Sequence, residues 1–204
     1  MAFDLAAEAH RFAGELSALL NATVCTGIRL SSWAERGRAV VQYGAGREPL
    51  GIPLTLGRRK PRVFLGLSYR LAPDHEDRYL MVTSSFVGLF GDAARTTSLL
   101  HYDYERGKAD GYPEAHVQVV AEPELWGLVG PRDRPFARAH LPVGGRRYRP
   151  TLEDLVEFAV VEGLAEGRDG WAAAVAAGRA AFRERQLRAA IRRDPATARD
   201  FLAS

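Results

Sequence analysis

Thiols are almost missing from this chain of 204 residues, in which Cys25 is the one cysteine. A single thiol forms no disulfide within the chain and supplies no cysteine-based metal site, so a reducing compartment is expected. Lysine is scarce too. Of 28 basic side chains only Lys60 and Lys108 are lysines, and the rest are arginines. A GC-rich genome produces such a bias without selection for nucleic-acid binding, yet the guanidinium fork suits phosphate wherever arginines gather. No apolar run approaches the roughly 20 residues that span a bilayer, and no basic, apolar and small-residue leader opens the chain. These absences predict a cytoplasmic protein with no membrane partner. Neither a Walker-type Gly-Lys-Ser/Thr nor a strand-linked Gly-x-Gly-x-x-Gly occurs, so no cofactor is expected.

What is present suits one well-cored domain: 47% of residues are hydrophobic and the formal net charge is only +3. Residues 1–21 read as an N-terminal helix, because Phe3, Leu5, Ala9, Phe12, Leu16, Leu19 and Leu20 recur at helical spacing up to a stop at Asn21. Residues 22–145 read as a sheet. Its strands are expected over Thr23 to Leu30, Arg38 to Tyr43, Leu50 to Leu56, Arg62 to Leu71, Tyr79 to Phe90, Leu99 to Tyr104, His116 to Ala121 and Arg138 to Val143. No helix of useful length separates these strands as far as Val120, so short connections imply an antiparallel meander. Residues 150–204 read as helices again, with Thr151 as an N-cap and a long helix from about Gly170 to Arg193. That helix is expected to turn Trp171, Val175, Phe182, Leu187 and Ile191 inward and its arginines outward. The fold class is α+β: a curved, mainly antiparallel meander sheet, an N-terminal helix packed on it and a helical C-terminal segment.

Three of the five histidines fall on strand segments, and imidazole is suited to proton transfer near neutral pH. Strand alternation sets His101 and Asp103 on one face, with Tyr102 and Tyr104 on the other. Pairing apolar with apolar places His101 opposite Gln118 and Asp103 opposite His116, and the next strand adds Arg138 and His140. His101, Asp103, His116 and His140 are thus candidate catalytic residues. Gln118, Arg138, Arg146, Arg147 and Arg149 are candidate substrate-binding residues, the last three beside Gly144-Gly145, whose backbone can cradle a phosphate. Metal-independent RNA cleavage needs these parts: a base for the 2′-hydroxyl, an acid for the leaving oxygen and a cation for the developing charge. Imidazoles with a carboxylate are also acceptable zinc or iron ligands, but the spacing matches no established metal motif. Polar residues on the solvated face of an antiparallel sheet need no function at all. His10 and His75 are assigned none.

The stretch from His101 to Val160 resembles the TumE-like toxins of bacterial toxin-antitoxin pairs. The resemblance rests on Tyr102-Asp103, on Tyr112-Pro113-Glu114-Ala115-His116-Val117 and on Pro150-Thr151-Leu152-Glu153-Asp154-Leu155, and covers about a third of the chain. It implies a small curved sheet followed by a helix, and a growth-inhibiting, RNA-directed activity. The chain departs from that family in lacking a close His-x-His and in its long extensions at both ends. His116-Val-Gln-Val and His140-Leu-Pro-Val also look like the doubled motif of two-histidine phosphoesterases, but Gln118 and Pro142 stand where that family has Thr or Ser.

A ribonuclease or related phosphodiesterase with RNA as partner is therefore one reading. A non-catalytic interaction or regulatory module, pairing with a cognate protein or a second copy, is another. A small-ligand binder inside the curved sheet is a third, with Phe64, Tyr69, Tyr79, Phe86 and Phe90 as its lining.

Overall fold

The computed structural model describes residues 3–55, 57, 60–107, 113–120, 141–143 and 150–203, with the side chains of 45, 141 and 142 excepted. Helix α1, Leu5–Thr23, starts where Asp4 accepts the backbone N–H groups of Ala6 and Ala7, each at 3.0 Å. The carboxylate satisfies two of the N–H groups that the first turn leaves unpaired. Ala9, Ala13 and Leu20 are buried on its inner face, and Phe12 meets Tyr69 edge to face at 5.2 Å.

The sheet comprises β1 (Ser31–Glu35), β2 (Arg38–Gln42), β5 (Ile52–Pro53), β6 (Phe64–Pro73), β7 (Leu80–Phe90), β8 (Ser98–Glu105), β9 (Ala115–Val119) and β10 (Leu141–Pro142). The small hairpin of β3 (Gly44–Ala45) and β4 (Glu48–Pro49) stands apart. The order is β1-β2-β6-β7-β8-β9-β10, every pair antiparallel, with β5 alongside the opening of β6. Short links join β1 to β2, β6 to β7, β7 to β8 and β8 to β9 as expected, whereas β3, β4 and β5 intervene in the chain between β2 and β6. A bulge between Arg70 and Leu71 breaks the long β6–β7 ladder, and Thr83 Oγ1 there donates to the Arg70 carbonyl at 3.1 Å.

The two faces differ in chemistry. Val41, Leu65, Leu67, Tyr69, Leu71, Val87 and Leu89 form one apolar face under α1 and α2, Leu152–Val161. Tyr104 is buried on that side and Tyr102 packs against the same core. Across the other face runs a continuous row of cross-strand partners: Ser31, Gln42, Ser68, Phe86, Asp103 and His116. Because side chains alternate along each strand, the apolar face that recruits the helices also sets this polar row.

Three expectations need correction. Thr23 to Leu30 is no strand: Thr23 still belongs to α1, and no strand covers 24–30. The β-branched residues there suggest a strand, but their backbone groups bond to α1 and its surroundings. Val24 and Cys25 donate to the Leu20 carbonyl. Asn21, expected to stop the helix, instead clamps Ile28 through both amide groups, at 2.8 and 2.7 Å. The expected strand over Leu50 to Leu56 shrinks to Ile52–Pro53, since proline cannot extend the ladder as a donor.

The third correction concerns α3, Trp171–Arg193. Val175 is buried as expected, but Leu187 is 61% and Ile191 47% exposed. The arginines hold this half of the helix to the body instead: Arg185 pairs with Glu15 at 2.8 Å and Arg192 lies 4.0 Å over the Tyr79 ring. These arginines are themselves exposed, as expected, so this half of the helix meets the body only at its edge and leaves Leu187 and Ile191 in solvent. Helix α4, Pro195–Ala203, also exposes Phe201 and Leu202. None of the helices described is long and apolar enough to cross a membrane.

Candidate functional site

The β8–β9 register sets His101 beside Gln118 and Asp103 beside His116, with Tyr102 opposite Val117 on the apolar side. Four polar side chains therefore share one patch of the sheet. His101 Nε2 lies 2.6 Å from Gln118 Oε1 and 3.3 Å from Asp103 Oδ2. Two acceptors around one ring nitrogen assign the proton to Nε2. No hydrogen bond to His101 Nδ1 is found among the described residues.

His116 approaches the same carboxylate from the other side, with Nε2 3.7 Å from Asp103 Oδ2. Its Nδ1 lies 3.3 Å from the Pro113 carbonyl, which serves as acceptor. The two imidazoles differ sharply in access: the side chains of His116, His101 and Asp103 are 5%, 18% and 35% exposed. His116 is a buried brace, while His101 and Asp103 reach the surface. Asp103 thus lies between two imidazoles, and His101 is the more accessible of the two. No set of three His, Cys, Asp or Glu side chains among the described residues is arranged to hold a metal ion.

The neighbouring strand adds a feature that sequence reasoning did not assign to the site. The Phe86 ring stacks on His101 with centroids 5.1 Å apart and an interplanar angle of 28°. Phe90 lies 6.0 Å further along. Arg95 covers both rings, its guanidinium carbon 4.8 Å from Phe86 and 5.1 Å from Phe90. Burial lowers the pKa of Arg95 from the usual arginine value.

Glycine makes room for this row. A Cβ on Gly88 would stand 2.7 Å from His101 Cβ, and one on Gly66 would meet Arg95 Nε at 2.7 Å. Phe86, Gly88 and Phe90 occupy alternate positions of β7, as do Phe64, Gly66 and Ser68 on β6. That alternation was the signal in the sequence for one continuous surface with His101.

Not every candidate can be placed. Arg138, His140, Arg146, Arg147 and Arg149 lie outside the described residues. The five aromatic residues expected to line one cavity do not share a face. Tyr69 sits under Phe12 on the helix-covered side, and Tyr79 packs against Arg192. A hollow of about 490 Å³ at β1, lined by Ser31, Trp33, Ala34, Glu35, Gly46 and Arg47, contains none of the histidines. Comparison with protein-family models, with curated proteins and with solved structures finds no match for this chain.

Proposed function

We propose that this chain is a cytoplasmic, metal-independent phosphodiesterase of ribonuclease type, with His101 as the reacting imidazole. The observation that carries this reading is the Asp103 carboxylate between His101 and His116, with Gln118 on the same His101 nitrogen. Holding Nε2 as a donor leaves the Nδ1 lone pair as the base. In RNA, Nδ1 would take the proton of a 2′-hydroxyl as its oxygen bonds to the adjacent phosphorus. The P–O5′ bond then breaks, and the departing oxygen receives a proton, either the same one returned by His101 or one from His140. Asp103 offsets the charge that His101 acquires meanwhile, with the buried His116 packed beside it. Resemblance to TumE-like toxins over His101 to Val160 supports RNA as the substrate class and growth inhibition as the outcome.

The test is degradation of single-stranded RNA in the presence of EDTA by wild type and by His101→Ala, Asp103→Asn, His116→Ala and His140→Ala. The expected result is cleavage by wild type, with losses of about 100-fold or more for His101→Ala and Asp103→Asn. Equal cleavage by all the proteins, or cleavage by none, would sink the proposal.

A second reading, an interaction module that pairs with a cognate protein or a second copy, is favoured by the exposed Leu187, Ile191, Phe201 and Leu202. It predicts a dimer or complex in light scattering that Leu187→Glu with Ile191→Glu dissociates. A wild-type monomer that retains no partner would count against it.

A further inference from the structure

We infer that Arg95, lying over Phe86 and Phe90, is a binding subsite for a phosphate of single-stranded RNA flanking the bond cleaved at His101. The inference rests on the phosphodiesterase reading for its substrate class, and on its own geometry for the site.

The conformation of Arg95 is the first observation. Its φ is +62°, a left-handed backbone that a residue with a long side chain rarely adopts. Asp92 holds the turn in this shape by accepting the Thr96 and Thr97 backbone N–H groups at 3.1 and 2.7 Å and the Thr96 hydroxyl at 3.0 Å. The turn delivers a cation onto the same face as His101, where Gly66 leaves room for it.

The second observation is how little answers that charge. Arg11, Arg47, Arg78, Arg179, Arg185 and Arg188 each pair with a carboxylate. Among the described residues Arg95 has no such partner, and its Nε is buried without a hydrogen bond. An arginine remains charged at any working pH, so this is a partly desolvated cation with no counter-ion among the described residues. Its face is used by the two rings. A guanidinium stacked this way keeps its N–H donors in its own plane, where two of them can meet a phosphate side by side.

The third observation is continuity. His101, Phe86, Arg95 and Phe90 form one row, each in contact with the next. Phe90 is only 4% exposed and Arg95 covers both rings, so the row offers a ligand the guanidinium and the imidazole, not open ring faces. A contact of this kind reads the backbone and not the bases. Single-stranded RNA held through its phosphates, with weak sequence preference, is the substrate class that fits.

Binding is measured separately from cleavage with a fluorescent 2′-O-methyl RNA oligonucleotide, which lacks the attacking hydroxyl. Wild type should bind it, and Arg95→Met should bind about tenfold more weakly, the loss expected for one charged hydrogen-bonded contact. The slope of log affinity against log salt should shrink by about 0.7, the amount expected for one phosphate contact on a single strand. Arg95→Gln gives the same comparison should the methionine variant fail to fold, as judged by its melting curve. Equal affinity and equal salt slope in wild type and the variant, or no binding by wild type, overturns the subsite. Loss of binding in Arg95→Met together with full cleavage by His101→Ala would leave the subsite standing and remove the histidine mechanism.

Discussion

His101 Nε2 and Gln118 Oε1 lie 2.6 Å apart across the β8–β9 pair, so a neutral amide on one strand holds the imidazole of the other in a single tautomer. Gln118→Leu keeps the bulk and removes the acceptor, freeing the ring to turn. The expected outcome is a fall in kcat of about tenfold with little change in KM, measured on an RNA substrate. A raised KM with unchanged kcat would make Gln118 a substrate contact instead.

The turn beneath Arg95 should respond to acid. The Thr96 backbone N–H, followed by Thr97, holds the Asp92 carboxyl down at about 2, well below the usual range for an aspartate. A carboxyl lowered on folding favours the folded turn while ionised. Its contribution is complete above the unfolded value of about 3.9 and is lost as pH falls towards 2. The amide resonances of Thr96 and Thr97 should therefore titrate with a midpoint near 2, and a midpoint near 4 would contradict the hydrogen bonding described. Asp92→Ala should weaken oligonucleotide binding in the same direction as Arg95→Met, because the turn no longer presents the guanidinium.

Asp154 ties two helices together. Its Oδ2 accepts the Thr151 N–H at 2.8 Å and the Thr151 hydroxyl at 3.2 Å, while its Oδ1 accepts from Arg179 Nε and Nη2 at 3.0 and 2.8 Å. Asp154→Ala removes the capping-box bonds to Thr151 and one partner of Arg179, which also pairs with Glu157. A loss of about 1–2 kcal/mol is expected in urea unfolding, most of it from the cap, since partly exposed ion pairs add little. A loss below about 0.5 kcal/mol would show that the cap is dispensable.

Cys25 should be inert in the folded protein. Burial pushes its thiol up to about 12, against a smaller opposing effect of the Arg168 charge. The reactive thiolate is therefore scarce at pH 8, and iodoacetamide should modify Cys25 only after denaturation. The raised value also sets a sign for alkaline stability. The folded state retains a proton that the unfolded chain releases near pH 9, so stability falls between about pH 9 and 12. Cys25→Ala should remove that part of the slope in melting experiments, and fast labelling of the native protein would contradict it.

Much of this architecture was legible in local pattern. The apolar spacing of α1 and the alternation of β8 and β9 were enough to pair His101 with Gln118 and Asp103 with His116, because the strand period is two and a one-residue slip would bury the polar set. The Thr151 start of α2 followed equally from a capping residue with acidic neighbours.

Local pattern misled where a backbone group had more than one partner to choose from. Residues 24–30 have strand-like composition but bond back to α1, and the outer half of α3 meets the body only through the exposed Arg185 and Arg192, which reach Glu15 and Tyr79, and not through Leu187 and Ile191. Neither Glu15 nor Tyr79 is near α3 in sequence. The sequence by itself therefore determined which residues share a strand face, since that depends only on alternation. Only the tertiary structure decided that Arg95 covers Phe86 and Phe90 next to His101, that His116 is buried while His101 is reachable, and that Leu187 and Ile191 face solvent. Those outcomes depend on which distant surface fills the space beside each side chain, and side-chain periodicity carries no information about that.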